Sequence, residues 1–590
     1  MRKIGRKISK RNMSSFFLCG ICAVGQGIFP VITIRLLQYV LDEVSVIYRL
    51  PQYLLLYILL ILLIKLLQNV ITYLQANASL AIRHSTEQNE MKDFLASCMM
   101  IDVSSFEEPG IYDKISRLRN GLDELYVNGM NGILTLCSGI ITIVGVFKII
   151  SAAGMQILLI SVAMLIPIWL INICLTFKEN KGWSENYERF RRQQYYSDVI
   201  TKREFIKETR IFDSYKFFGK KWEDNYDIYN KKLIKLTTTT RLLSALLFFL
   251  MGSGIGIVVF LLLPKLMKGT ITIGFLISVV EGLRQFSNDF IWKINGGVWN
   301  ILTAKKLLND NKALKKLAEE TCKAERVFKE SIENKEQSIS LKGLMEIDNV
   351  WFRYPNSESY TLKGISFIIH PGEQIALVGE NGSGKSTLAK LVMGLYKPEK
   401  GSIRYNGIEV SALTKEQRKE IFGVVFQDYA RYEITLRENL AFFDLENQNK
   451  DESYISALLA VDGGKILSDC KNIDTILGKK INGGVDLSNG QWQKLAIARI
   501  FTHAAKFTIL DEPSSAADPL AEAEIYNQYA KLTENTSGIL ITHRLGSIQF
   551  CNRILVLSKG IIVEEGTHDV LMEADGIYAS MYQMQKGWYI

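Results

Sequence analysis

Hydrophobic runs divide the chain in two. Asn12–Ile34, Val127–Phe147, Met155–Phe177 and Leu242–Pro264 carry no charged side chain, and Leu50–Ile82 is interrupted only by Lys65. Each is long enough to cross the roughly 30 Å hydrocarbon core as a helix, the conformation that bonds every backbone polar group internally. A sixth run starts near Thr270 and grows polar toward Asn300. The pattern predicts an all-α membrane domain over 1–310 with six spans, at about 12–34, 50–82, 127–147, 155–177, 242–264 and 270–300. The segments after spans two and four, 83–125 and 178–236, are long and polar and read as helical extensions of the spans. Residues 311–343, rich in Lys and Glu, read as a linker that begins as a helix, and 344–590 as a soluble α/β domain.

Charge orients the spans. The N-terminal tail and the two long segments hold 26 Lys and Arg, against a handful in the three short connections. The positive-inside rule therefore puts both termini and both long segments in the cytoplasm. The net charge of +9 fits this topology better than nucleic-acid binding, which is not expected. The uncharged run after the basic start spans a bilayer and ends without a small-residue cleavage site, so it reads as a span and not a signal peptide. The eight cysteines are scattered, and Cys19 and Cys22 read as small apolar residues of a helix.

Two features inside the spans bear on function. Glu281, Arg284, Gln285, Asn288 and Asn295 fall on one side of the sixth helix, where ionisable groups usually face a wet cavity; they are candidates for a substrate path. An internal Glu281–Arg284 pair of purely structural role is the competing reading. Lys65 reads as a snorkelling or paired lysine, and Gly252, Gly254 and Gly256 as a site of close helix packing.

The soluble half carries the chemistry. Gly379-Glu380-Asn381-Gly382-Ser383-Gly384-Lys385-Ser386, followed by Thr387, matches G-x-x-x-x-G-K-[ST] between a strand-like and a helical run. Such a loop wraps phosphates with its backbone N–H groups, Lys385 reaches the outer phosphates, and the Ser386 hydroxyl ligates Mg²⁺. The apolar strand 507–510 ends in Asp511 and Glu512, placed to hold Mg²⁺ and to polarise the attacking water.

With Leu487-Ser488-Asn489-Gly490-Gln491, Gln427 and His543, these motifs make residues 344–590 resemble the ATP-binding-cassette family, and the six-span topology is similar to that family's exporter-type membrane domain. The resemblance implies further roles. Tyr354 stacks on adenine, Gln427 contacts Mg²⁺ and senses the membrane domain, His543 touches the γ-phosphate, and Asp518 lies between two sites. Ser488, Asn489, Gly490 and Gln491 close over nucleotide bound to a second chain, so the implied partner is another half-transporter, identical or related. Short helices near Phe106–Asp113 and Thr201–Glu208 are expected to dock near Gln427.

Asn489 stands where the family has glycine. Asn tolerates left-handed backbone, so a modest weakening is expected. The runs 483–494 and 512–519 are most similar to exporters of modified peptides of the lantibiotic type. The expectation is an ATP- and Mg²⁺-dependent exporter in a bacterial plasma membrane, with no peptidase domain ahead of the first span. The alternatives are a multidrug or lipid exporter, a non-hydrolysing nucleotide-binding membrane module, or a tethered soluble P-loop enzyme.

Overall fold

The computed structural model describes residues 10–45, 53–185, 187–333, 343–355, 357–445, 448, 450–479, 483–503, 505–513, 530, 536–544, 548 and 551–586. The chain divides into two compact units, Met1–Met99 with Asp113–Lys315, and Met100–Tyr112 with Lys316–Ile590. Residues 100–112, which the sequence places in the membrane half, thus group with the ATPase half.

The membrane unit is helical: α1 (Lys10–Val44), α2 (Leu54–Met100), α3 (Val103–Phe106), α4 (Pro109–Ser151), α5 (Met155–Glu185), α6 (Tyr187–Thr201), α7 (Arg203–Ile211), α8 (Tyr215–Met267), α9 (Ile273–Asp289) and α10 (Gly296–Glu333), with α3 and the ends of α2, α4 and α10 belonging to the other unit. Five of these, α1, α2, α4, α5 and α8, are long and apolar enough to cross a membrane. The sixth expected span is one continuous helical run with a π-helical turn inside it: α9 has 17 residues and runs into Phe290–Asn295 before α10 continues. A π turn widens a helix by one residue per turn and is frequent at functional sites. The helix after it continues to Glu333, so most of the expected linker is helical; residues 334–342 lie outside the described set.

Lipid tails supply no hydrophobic drive between helices, so close packing at small residues must do so. One such close approach is between α4 and α10. A Cβ at Gly132 would lie 2.8 Å from the Gly297 carbonyl oxygen, and one at Gly297 would lie 2.9 Å from that of Gly132. The packing expected at Gly252 and Gly256 is not observed. Both face open space, and only Gly254 meets a neighbour, Met164. Outside the spans, Arg117 pairs with Asp310 at 2.9 Å, and Lys315 with Glu90 at 3.4 Å, tying α4 and α2 to α10.

The ATPase unit holds two sheets. Strands β1 (Met345–Phe352), β2 (Leu362–Ile369), β4 (Lys400–Tyr405) and β5 (Ile408–Glu409) form an antiparallel sheet in the order β2-β1-β4-β5. The second runs β10-β9-β3-β8-β7-β6, with β3 (Gln374–Val378), β6 (Phe422–Val425), β7 (Phe507–Asp511), β8 (Ser537–Ile541) and β9 (Arg553–Ser558) parallel and β10 (Ile561–Gly566) antiparallel at its edge. Every residue of β3, β7 and β8 is buried. That is the signature of parallel strands covered on both faces, and each buried Leu or Ile contributes about 1.5–3 kcal/mol. The three central strands therefore make a rigid floor, and the phosphate loop leaves from the C-terminal end of β3.

Candidate functional site

Chemistry converges where β3, β7 and β8 end. After β3 the backbone turns through Gly379, Gly382 and Gly384 at φ +145°, +77° and +108°, into α11 (Lys385–Val392). Side chains rarely adopt these values, which is why glycine recurs in the loop. Lys385 is buried, and its ammonium donates to the carbonyls of Gly379 and Glu380, both at 2.9 Å. Burial lowers its pKa, opposed by the Glu512 and Asp511 carboxylates. Loop carbonyls thus hold the ammonium where phosphates would draw it.

Asp511, the last residue of β7, is buried, and burial raises its pKa against a hydrogen bond with the Ser386 hydroxyl. Its Oδ1 is buried without a hydrogen-bond partner. An unspent carboxylate oxygen beside a serine hydroxyl is an oxygen donor set suited to Mg²⁺, so these residues fit the expected metal.

Glu512 follows with φ +49°, a left-handed conformation that is uncommon for glutamate and marks strain held by its surroundings. Its N–H donates to the Ile541 carbonyl at the end of β8, 2.9 Å away. Its carboxylate accepts from Gln427 Nε2 at 2.7 Å and from His543 Nε2 at 2.8 Å. Burial and the nearby Lys385 lower the His543 pKa, opposed by Glu512. The neutral imidazole must then carry its proton on Nε2 to donate to the carboxylate. Gln427 is the first polar residue after β6, and His543 stands two residues past β8. Three strand ends thus aim one carboxylate.

Tyr354 is half-buried at the far side of the loop. Its hydroxyl lies 3.0 Å from Thr387 Oγ1, and its ring packs edge-on against Phe352 and Tyr396. The Tyr396 hydroxyl in turn donates to Glu107, and burial with Glu107 pushes that phenol up, keeping it protonated. Residues 100–112 therefore meet the ATPase unit at Tyr396, with Met100 near Lys415. Gln427, the expected docking point, is not among these contacts. The chain bends between α3 and α4, with Pro109 opening α4, where its missing N–H costs nothing. The other expected docking segment is α7 with the residues just before it, in the membrane unit.

Ser488–Gln491 forms a helix start. Ser488 caps α16 (Asn489–Phe501): Gln491 N–H donates to Ser488 Oγ at 3.2 Å, and Gln491 Oε1 accepts from Ser488 N–H at 2.8 Å. Asn489 is exposed at the first helical position and its φ is not positive, so the left-handed argument for glycine there fails. Its carbonyl accepts from Tyr429 at 3.0 Å. Among the described residues, no hydrogen bond joins 488–491 to the phosphate loop. Asp518 lies outside the described residues. Sequence reading passed over Arg499, buried on α16, whose guanidinium donates to Asn439 at 2.6 Å and covers the Tyr432 and Phe442 rings. Burial pushes its pKa down to about 10. It fixes the segment that follows Gln427.

In the membrane unit, Glu281, Arg284 and Gln285 line a cavity of about 410 Å³ between α1, α2 and α9. Asn288 is exposed and outside that lining, and Asn295, half-buried, also lies outside it. Lys65 lines it as well, together with Asp289 and Lys293 beside the π turn.

A glycine loop, a paired serine and aspartate, and a glutamate held by a glutamine and a histidine define a P-loop nucleotide-hydrolysing domain. Residues 362–515 match the family described as ABC transporter, and this part of the chain is an ABC transporter ATPase domain. The nisin transport ATP-binding protein NisT of Lactococcus lactis subsp. lactis is 35% identical over 330 residues, 56% of this chain and 54% of that protein. The match thus spans about half of that relative's length. The subtilin transport ATP-binding protein SpaT of Bacillus subtilis is 28% identical over 489 residues, 81% of this chain and 76% of its own. An ATP-dependent lipid A-core flippase of Alkalilimnicola ehrlichii is 37% identical over 245 residues, 41% of each chain. The structure of a bacterial Atm1-family ABC exporter with ATP bound superposes with a TM-score of 0.77 at 19% identity, covering 98% of this chain and 99% of that one. The fold is that of an ABC exporter.

Proposed function

We propose that this chain is half of an exporter that moves a modified peptide across a bacterial plasma membrane, driven by ATP hydrolysis at a site completed by a second copy or a related chain. The observation that carries the reading is the Glu512 carboxylate, held by Gln427 and His543 beside the phosphate loop. There it orients water for in-line attack on the γ-phosphate and takes its proton, while His543 turns its N–H toward the forming charge. Ser386 and Asp511, with Gln427 as a further candidate, would hold Mg²⁺, which would neutralise phosphate charge there. Lys385 leaves the loop carbonyls for the phosphates, and Tyr354 stands by the loop to stack on the base. Ser488, exposed, and Gly490, half-buried, stand at the start of α16 without a hydrogen bond to this chain's own loop among the described residues; they suit capping nucleotide on the opposite chain, where the α16 N-terminus favours phosphate.

Peptide cargo is favoured by the SpaT match, which at 489 residues necessarily reaches well into the membrane half. The flippase matches are shorter, at 245 to 382 residues, but the longest also reaches into the membrane half, and lipid export is the second reading. Inside-out vesicles bearing the protein are expected to accumulate labelled lanthionine peptide of the nisin or subtilin type with ATP and Mg²⁺, and not with a non-hydrolysable analogue. Uptake of labelled lipid alone would move the reading to lipid export, and uptake of neither would contradict it.

A further inference from the structure

The cavity in the membrane unit carries a charge asymmetry. Two polar stripes line it. On α2, Lys65, Gln68, Asn69 and Thr72 recur at i, i+3, i+4 and i+7, the spacing of one helix face; on α9, Glu281, Arg284, Gln285 and Asp289 fall at i, i+3, i+4 and i+8, again one face. The carboxylates are spent. Arg284 donates to both Glu281 oxygens, with its Nε at 2.7 Å from Oε2. Asp289 accepts from Gln285 at Oδ1 and from Lys293 at Oδ2, each at 2.9 Å.

Arg284 and Lys293 are thereby neutralised, and Lys65 is left with no carboxylate or hydrogen-bond acceptor among the described residues. An ammonium at membrane depth is costly unless it meets water or an anion. The side-chain amides of Gln68 and Asn69, one turn along α2, and of Gln26 across the cavity, are also without partners among the described residues. They are donors for the remaining lone pairs of whatever anion Lys65 receives.

We infer that this cavity receives one localised anionic group of the cargo, a carboxylate or a phosphate, on the Lys65 ammonium, an assignment that rests on the export reading above. A cationic cargo finds no unspent carboxylate here. At about 410 Å³ the space suits a headgroup or a peptide terminus and not a whole folded peptide. A charge-assisted hydrogen bond from Lys65 sets the preference for the anion.

The test uses the full chain in nanodiscs without nucleotide, with binding read by fluorescence anisotropy. Two probe pairs carry a neutral fluorophore: a linear peptide lacking Asp and Glu, as its C-terminal carboxylate and as its amide, and dihexanoyl phosphatidic acid with the matching diacylglycerol. The anionic member of one pair is expected to bind about tenfold tighter than its neutral partner. The ratio should fall to near one in Lys65→Gln and return in Lys65→Arg, whose recovery shows that the effect is charge and not misfolding. Preference within the peptide pair assigns a carboxylate, and within the lipid pair a phosphate. Equal binding in both pairs, or a preference that survives Lys65→Gln, overturns the inference. Since no nucleotide is present, charge-selective binding in a protein that moves no cargo would contradict export and leave this site standing.

Discussion

Glu512→Gln is expected to cut ATP turnover at least a hundredfold, on the scale of about 10²–10⁴ for a positioned general base, while nucleotide still binds. The glutamate carboxylate accepts two hydrogen bonds, from Gln427 and His543, and keeps lone pairs for water. An amide offers one acceptor oxygen and a donor that faces one of those N–H groups, so both basicity and alignment are lost. The phosphate loop does not touch this carboxylate through a hydrogen bond, so affinity should change only a few-fold. Steady-state phosphate release with equilibrium binding of a fluorescent ATP analogue separates the two effects. Turnover within threefold of the unmodified protein would remove Glu512 from the chemistry.

Gly379→Ala should be the most damaging single methyl in the ATPase domain. A Cβ there would lie 2.1 Å from the Leu557 carbonyl oxygen, and φ is +145°. Leu557 belongs to β9, hydrogen-bonded along β3, so neither partner can retreat without breaking the sheet. A cost above about 3 kcal/mol is expected, lowering the midpoint of the ATPase domain by roughly 6–12 °C and abolishing ATP binding. Gly382→Ala is the control. Its φ of +77° is also left-handed, but nothing lies within 4 Å, so only about 1 kcal/mol is lost. Differential scanning calorimetry of both variants checks the ordering, and equal losses would show that the close approach at Leu557 is not what matters.

What could be read before the fold was known was chemistry confined to short stretches. The 379–386 loop announces itself because phosphate wrapping, the lysine and the serine are all local, and Asp511–Glu512 is visible as two charges ending a buried strand. Spans were legible because lipid imposes length and the absence of charge. Features that depend on distant neighbours were not. The left-handed backbone of Glu512 is set by its bond to Ile541, 29 positions away in the chain. The π turn after Asp289 has no residue signature, since its register follows from packing. The cavity beside Lys65 was not legible either, because α1 and α9 must be brought against the α2 face that carries Gln68, Asn69 and Thr72 to form it. Asn489 was argued from a backbone angle that a helix start does not require. Gly252 and Gly256 had the spacing of a packing motif on a face that meets nothing. Residues 100–112 group with the ATPase half through Tyr396 and Glu107, a pairing 289 positions apart that no local pattern announces.

The account depends on Ser488 and Gly490 acting on nucleotide held by another chain. The direct measurement is ATP turnover per chain in nanodiscs sorted to hold one copy or two. Two-copy discs are expected to hydrolyse ATP at rates abolished by Glu512→Gln, and one-copy discs to bind ATP without turning it over. Equal turnover per chain in both would contradict the account.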